Sequence, residues 1–192
     1  MQNEPNIDAA EEAITDLLEA LGVDEGDHTE GTPRRVAVAW GELLAGYQED
    51  PADHLNTTFT APHNPGLVVV RNVRIQSTCA HHMLPITGTA TIAYRPQPGQ
   101  RVVGLSKLTR LAEGYARRLQ VQERITSQIV GAIAERLNPA WVACAITADH
   151  GCMSLRGVRD ECSDTLTYND TGEPTASDRA AFWAAHNNNI GG

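Results

Sequence analysis

Residues 77–95 read STCAHHMLPITGTATIAYR, a polar Cys-His run that passes directly into an alternating apolar segment. The second part decides the fold class. Ile86, Gly88, Ala90, Ile92 and Tyr94 fall on one side, with threonines between several of them. A period of two is the pattern of a half-buried β-strand. Just upstream, LVVVRNVRIQ (67–76) is rich in β-branched residues and predicts a second strand. Downstream, the turn residues of PQPGQ predict RVVGL as a hairpin partner of 86–95.

Around these strands the period changes to that of a helix. Ile14, Leu17, Leu18 and Leu21 recur at helical spacing over residues 8–21, with Gly22 as the stop. Thr32-Pro33 predicts a second helix with Thr32 as N-cap, running to about Ala45. Between them GVDEGDHTEG reads as an acidic linker, and residues 48–65 read as loop. Ser106 is the expected cap of a helix whose buried face is Leu108, Leu111, Ala112 and Tyr115. A further helix carries Ile125, Ile129, Ile133 and Leu137 and stops at Asn138-Pro139. WVACAITAD is again a strand, with Val142, Cys144 and Ile146 on one face. After Asp160 the chain is polar and weakly patterned, apart from a short helix expected around 179–185. The order predicts an α+β domain with a mainly antiparallel sheet and a helical N-terminal extension.

Composition narrows the classes. With 41% apolar and 20% charged residues the chain reads as globular. No run approaches the roughly 20 apolar residues of a membrane span. The acidic start lacks the features of a secretory signal, so a cytoplasmic location is expected. Four cysteines in 192 residues are too few for a disulfide framework, and a formal charge of −9 argues against a nucleic-acid partner.

The polar run now matters. Cys79 and His82 stand three apart, a spacing at which one turn presents both as ligands. DHGCMSLRG (149–157) repeats the theme with His150 and Cys152 at a strand end. Thiolate and imidazole together suit zinc. Spacing alone leaves three readings open. A structural site would take four ligands. A catalytic site would take three and leave free imidazoles for proton transfer. With no metal, the histidines would be surface residues. Lys107 and Arg110, with Ser106, sit at a helix start, where backbone N–H groups and the dipole favour anions. Gln122 and Glu123 open the next helix, and a carboxylate there suits the paired donors of guanine. Arg156 could add a phosphate contact.

STCAHHMLPITGTATIAY, VVGLSKLTRLAEGYARRLQVQERIT and HGCMSLRGVRD resemble GTP cyclohydrolase I, as does GTPRRVA nearer the N-terminus. The resemblance implies a T-fold, with a four-stranded antiparallel sheet and two long antiparallel helices. Residues 1–60 would be a helical extension and linker, and 61–192 the catalytic domain with a divergent tail from about 161. It implies a homo-oligomer, typically a decamer, with active sites between subunits. By position, the zinc ligands fall on Cys79, His82 and Cys152 and the proton-transfer histidines on His81 and His150. The guanine contacts fall on Gln122 and Glu123, and the triphosphate contacts on Ser106, Lys107, Arg110 and Arg156. The implied reaction is zinc-dependent hydrolysis of GTP at C8, releasing formate and yielding 7,8-dihydroneopterin triphosphate. The chain departs from the family in two places. Ala80 replaces the usual glutamate between Cys79 and His81, and the tail keeps Ser163, Thr165 and Thr167 but little else. Those departures admit an altered purine preference or an inert binding homologue.

Overall fold

The computed structural model describes residues 4–23 and 26–188; Asp24 and Glu25 of the acidic linker, and both extreme termini, lie outside the described residues. Helix α1 spans Ile7–Ala20, where the Asn6 side chain accepts from the Ala9 N–H at 3.0 Å, and Gly22, at φ 70°, turns the chain away. Helix α2 spans Thr32–Leu43 and packs on α1, with Arg34 paired to Asp8 and Glu11. Its N-cap is Gly31, one residue before the expected Thr32, because Pro33 tolerates either of the first helical positions.

The segment expected as loop contains structure. A 3-10 turn over Pro51–Asn56 is capped by Asp50 and buries Leu55. Strand β1 (Thr58–Thr60) follows, and it pairs with β4 (Arg101–Val103). The predicted hairpin between 86–95 and 101–105 is therefore wrong. PQPGQ does turn the chain, yet β4 leaves the main sheet and touches its end through the Val103 N–H to Tyr94 hydroxyl contact at 3.4 Å.

The main sheet is built from β2 (Val68–Cys79), β3 (Pro85–Arg95), β6 (Trp141–His150) and β7 (Thr165–Gly172), antiparallel throughout. A two-residue strand, β5 (Leu119–Gln120), adds parallel to the end of β2, giving the order β5-β2-β3-β6-β7. The four antiparallel strands match the expected T-fold sheet. A bulge between Val70 and Val73 places Asn72 at φ 57°, a conformation asparagine accepts more readily than most residues.

Helices α3 (Leu105–Ala116) and α4 (Gln122–Leu137) cover one face. Their Leu108, Leu111, Ile125, Ile129 and Ile133 meet Ile75, Ile92, Cys144 and Ile146 in the main core. The residue before α3 is Gly104, so Ser106 lies inside the helix and is not its cap. Asn138, at φ 44° and ψ 55°, ends α4 as expected. The tail corrects the sequence reading most. It forms the whole edge strand β7 and a longer helix, α6 (Ala176–Asn187), started by a Thr175–Asp178 capping box. Helix α6 packs Phe182 against Trp141, Ala143 and Ala145 on the opposite face. No helix among the described residues is long and apolar enough to cross a membrane.

Candidate metal and proton-transfer site

Antiparallel pairing explains how two distant stretches meet. Thr78 pairs with Pro85, and Ile86 with His150, so the end of β2, the start of β3 and the end of β6 share one edge of the sheet. Cys79 closes β2, His82 lies in the β2–β3 loop, and Cys152 sits in α5 (Gly151–Ser154), the single turn after β6. Their donor atoms lie within 4.8 Å of one another. The loop is held by Cys79 N–H to Leu84 O and Met83 N–H to Cys79 O, both at 2.8 Å. It also carries Met83 at φ 56°, a left-handed conformation that a non-glycine residue keeps only when its surroundings enforce it.

The donor set fits a metal. Two sulfurs and an imidazole match zinc, whose bonds of about 2.0–2.3 Å place tetrahedral donors roughly 3.5–4 Å apart. The observed spread needs only a small contraction to reach that. Cys79 is buried, Cys152 half-buried and His82 exposed, so the cluster opens to solvent on the histidine side. Burial and the hydrogen bond with Cys79 push the Cys152 thiol up. Metal binding requires both thiols to lose their protons, so it would be coupled to proton release.

The remaining predicted residues divide into two groups. His82 Nε2 lies 2.5 Å from the Arg156 guanidinium, and the His81 ring meets His82 edge-on at 6.3 Å. His150 is half-buried, with Nε2 at 2.7 Å from Gln122 Oε1. Gln122 is 1% exposed, and Glu123 beside it is exposed on the first turn of α4. An open cleft of about 280 Å³, lined by Asp149, His150, Ser154, Asp160 and Ser163 among others, borders this side. Ala80 is half-buried and donates its N–H to Gln120 O at 2.9 Å.

Ser106, Lys107 and Arg110 are elsewhere. The last residue of α3, Ala116, lies near the cluster, because its carbonyl accepts from the Ser77 hydroxyl at 2.6 Å. Ser106 is ten residues earlier on that helix, about 15 Å away along its axis. Within one chain the basic cluster and the Cys-His-Cys group are thus set at opposite ends of α3. A cleft of about 530 Å³ between α2, β2 and α3 contains none of the predicted residues.

Sequence reading missed one contributor. The Gln122 amide nitrogen reaches Thr165 O at 2.8 Å and Thr167 Oγ1 at 3.1 Å, which makes the tail strand part of the site's support. The signal was present in TLTYNDTG, where threonines at 165 and 167 alternate with Leu166 and Tyr168 before a glycine.

The GTP cyclohydrolase I family model matches residues 10–186. GTP cyclohydrolase 1 of Desulforamulus reducens is 48% identical over 158 residues, 82% of this chain and 83% of that protein. The Carboxydothermus hydrogenoformans protein of the same name is 46% identical over 156 residues, covering 81% and 80%. That of Corynebacterium aurimucosum is 46% identical over 167 residues, covering 86% and 85%. The match runs through β7 and α6, so the tail that looked divergent lies within the family's extent. The chain belongs to the GTP cyclohydrolase I family.

Proposed function

We propose that this protein hydrolyses GTP at C8 of the purine, releasing formate and forming 7,8-dihydroneopterin triphosphate. The convergence of Cys79, His82 and Cys152, with His81 and His150 beside them, carries the reading in a chain of this family. The three donors are proposed as zinc ligands. When bound there, zinc supplies a Lewis acid that makes water nucleophilic near neutral pH. His150 delivers a proton to the imidazole ring of the purine, which makes C8 electrophilic, and His81 and His150 carry the later proton transfers. Two waters are consumed in opening the ring and releasing formate, and one is returned when the rearranged ribose closes onto the pyrimidine.

Glu123, exposed on the first turn of α4, accepts from the guanine donors. Ser106, Lys107 and Arg110 hold the triphosphate at the start of α3, with Arg156 near the metal. Because those groups are separated along α3 in one chain, the proposal includes an oligomer in which one copy's α3 completes another copy's site. The exposed His82 side of the cluster supports this, since small-molecule sites bury most of their ligand. The oligomer is proposed to be a decamer, in the cytoplasm. The proposal also divides the chain into an extension (1–60) and a catalytic domain (61–192), joined closely by buried Leu55 and the β1–β4 pairing.

The test is turnover of GTP by zinc-loaded protein, read from pterin fluorescence and formate. Product that disappears in chelator-stripped protein and returns with zinc supports the reading. Bound GTP and bound zinc without formate would sink it.

A further inference from the structure

The Gln122 side chain is fully engaged inside the protein. Its amide nitrogen reaches the carbonyls of Ile146 and Thr165, each at 2.8 Å, and Thr167 Oγ1 at 3.1 Å. Carbonyl oxygens only accept, so the nitrogen must face them; the flipped amide would set oxygen against two oxygens. The hydroxyls agree. Thr126 donates to the Gln122 backbone carbonyl at 2.9 Å, so at the 2.7 Å contact between hydroxyls Thr167 is the donor. Thr167 Oγ1 is then left to accept, and the two amide hydrogens are shared among the three acceptors. Gln122 Oε1 is therefore fixed as the acceptor facing His150 Nε2 at 2.7 Å, and that ring nitrogen must carry a hydrogen.

We propose that Gln122 is a positioning residue that holds His150 protonated on Nε2, leaving Nδ1 as the atom through which His150 exchanges protons with the substrate. This rests on the hydrolytic reading above. It gives Gln122 a different task from the guanine contact implied by family resemblance, and a side chain 1% exposed has no free donor to offer a purine. It also gives the tail a task. Through Thr165 and Thr167, β7 sets the angle of an amide that sets the angle of a ring. The buried amide joins α4, β6 and β7, so the imidazole is referenced to three elements at once.

Two measurements test it. In Gln122→Met, which keeps length but not hydrogen bonding, kcat for GTP should fall at least tenfold, with KM and zinc content unchanged. A raised KM with kcat retained is the result of a lost purine contact and overturns the proposal. The second measurement avoids substitution in the protein under study. In the ¹⁵N spectrum of histidine-labelled, unmutated protein, His150 is identified by comparison with His150→Gln. Neutral His150 should carry its proton on Nε2; a proton on Nδ1 overturns the proposal even if the Met variant does not fold. Protein that binds GTP but releases no formate defeats the hydrolytic reading alone, because the tautomer is read without turnover.

Discussion

The two faces of the sheet are covered by different kinds of chain. Under α3 and α4 lie aliphatic side chains at helical spacing, Ile125, Ile129 and Ile133 against Ile92, Cys144 and Ile146, beside the buried polar contacts of Ser77, Gln122 and Thr126. The opposite face meets α6 through Phe182, Trp141 and Tyr168, and it is fastened by polar pairs. Arg95 holds Asp178, which lies 83 residues away in sequence. The His186 ring contacts Thr91 and Thr147 hydroxyls, each at 3.1 Å, and stacks on Phe182. The Trp141 N–H donates to Asp170 at 3.0 Å. The first face is held mainly by apolar area, whereas the second also depends on a buried ion pair, so the two should fail differently.

The largest contrast is between two cysteines. Cys144 sits fully buried in the aliphatic core, which pushes its thiol far up, whereas Cys152 stands at the sheet end beside Cys79. Cys152→Ala should abolish stoichiometric zinc binding and lower turnover by about a thousandfold or more, since three ligands are the minimum for the site. Cys144→Ala should keep both, and metal analysis beside the turnover assay separates them. Next in size, Ile129→Ala should cost about 2–5 kcal/mol of global stability by denaturant titration, because a tightly packed core cannot close the cavity.

The opposite face should show smaller, pH-dependent losses. The Arg95 guanidinium holds the Asp178 carboxyl down to about 2. A carboxyl whose pKa is lowered by folding stabilises above its usual value near 4 and loses that contribution as pH falls towards 2. Asp178→Asn should therefore cost about 2–3 kcal/mol at neutral pH and remove that acid-labile step. Tryptophan fluorescence, with Trp141 and Trp183 at the α6 contact, follows it. His186 is smaller again. Burial lowers its pKa, so the unfolded chain takes up protons first and stability falls as pH drops below about 6.5. His186→Gln should cost under about 1 kcal/mol at pH 8 and flatten this dependence. A wild-type protein whose α6 contact weakens equally at pH 8 and pH 5.5 would contradict it.

The same contrast explains what could be read in advance. The aliphatic face announces itself, since a helix with isoleucine every fourth residue buries that stripe in almost any context. Strand 86–95 was legible by alternation, although α6 also buries its Ala93 and Thr91 on the other side. The tail reads as weakly patterned because Thr165, Thr167, Asp170 and Asp178 are polar, and nothing local shows that their partners are Gln122, Trp141 and Arg95. The failed hairpin has the same cause. RVVGL has strand character, but its partner Thr58–Thr60 lay in a stretch without a period.

By itself the sequence determined the residue types and their local order: a thiol and imidazole three apart, the helix stripes, the basic cluster and the family pattern that joins them. Ligand chemistry and helical period are local properties, readable from neighbours a few positions away. The tertiary structure alone decided that Cys152 meets Cys79 and His82, because antiparallel register brings those strand ends to one edge. It decided that Gln122 is buried and engaged, because the acceptors that orient its amide come from β6 and β7. It also set Ser106 at the far end of α3 from the cluster, through the length of a rigid helix between them.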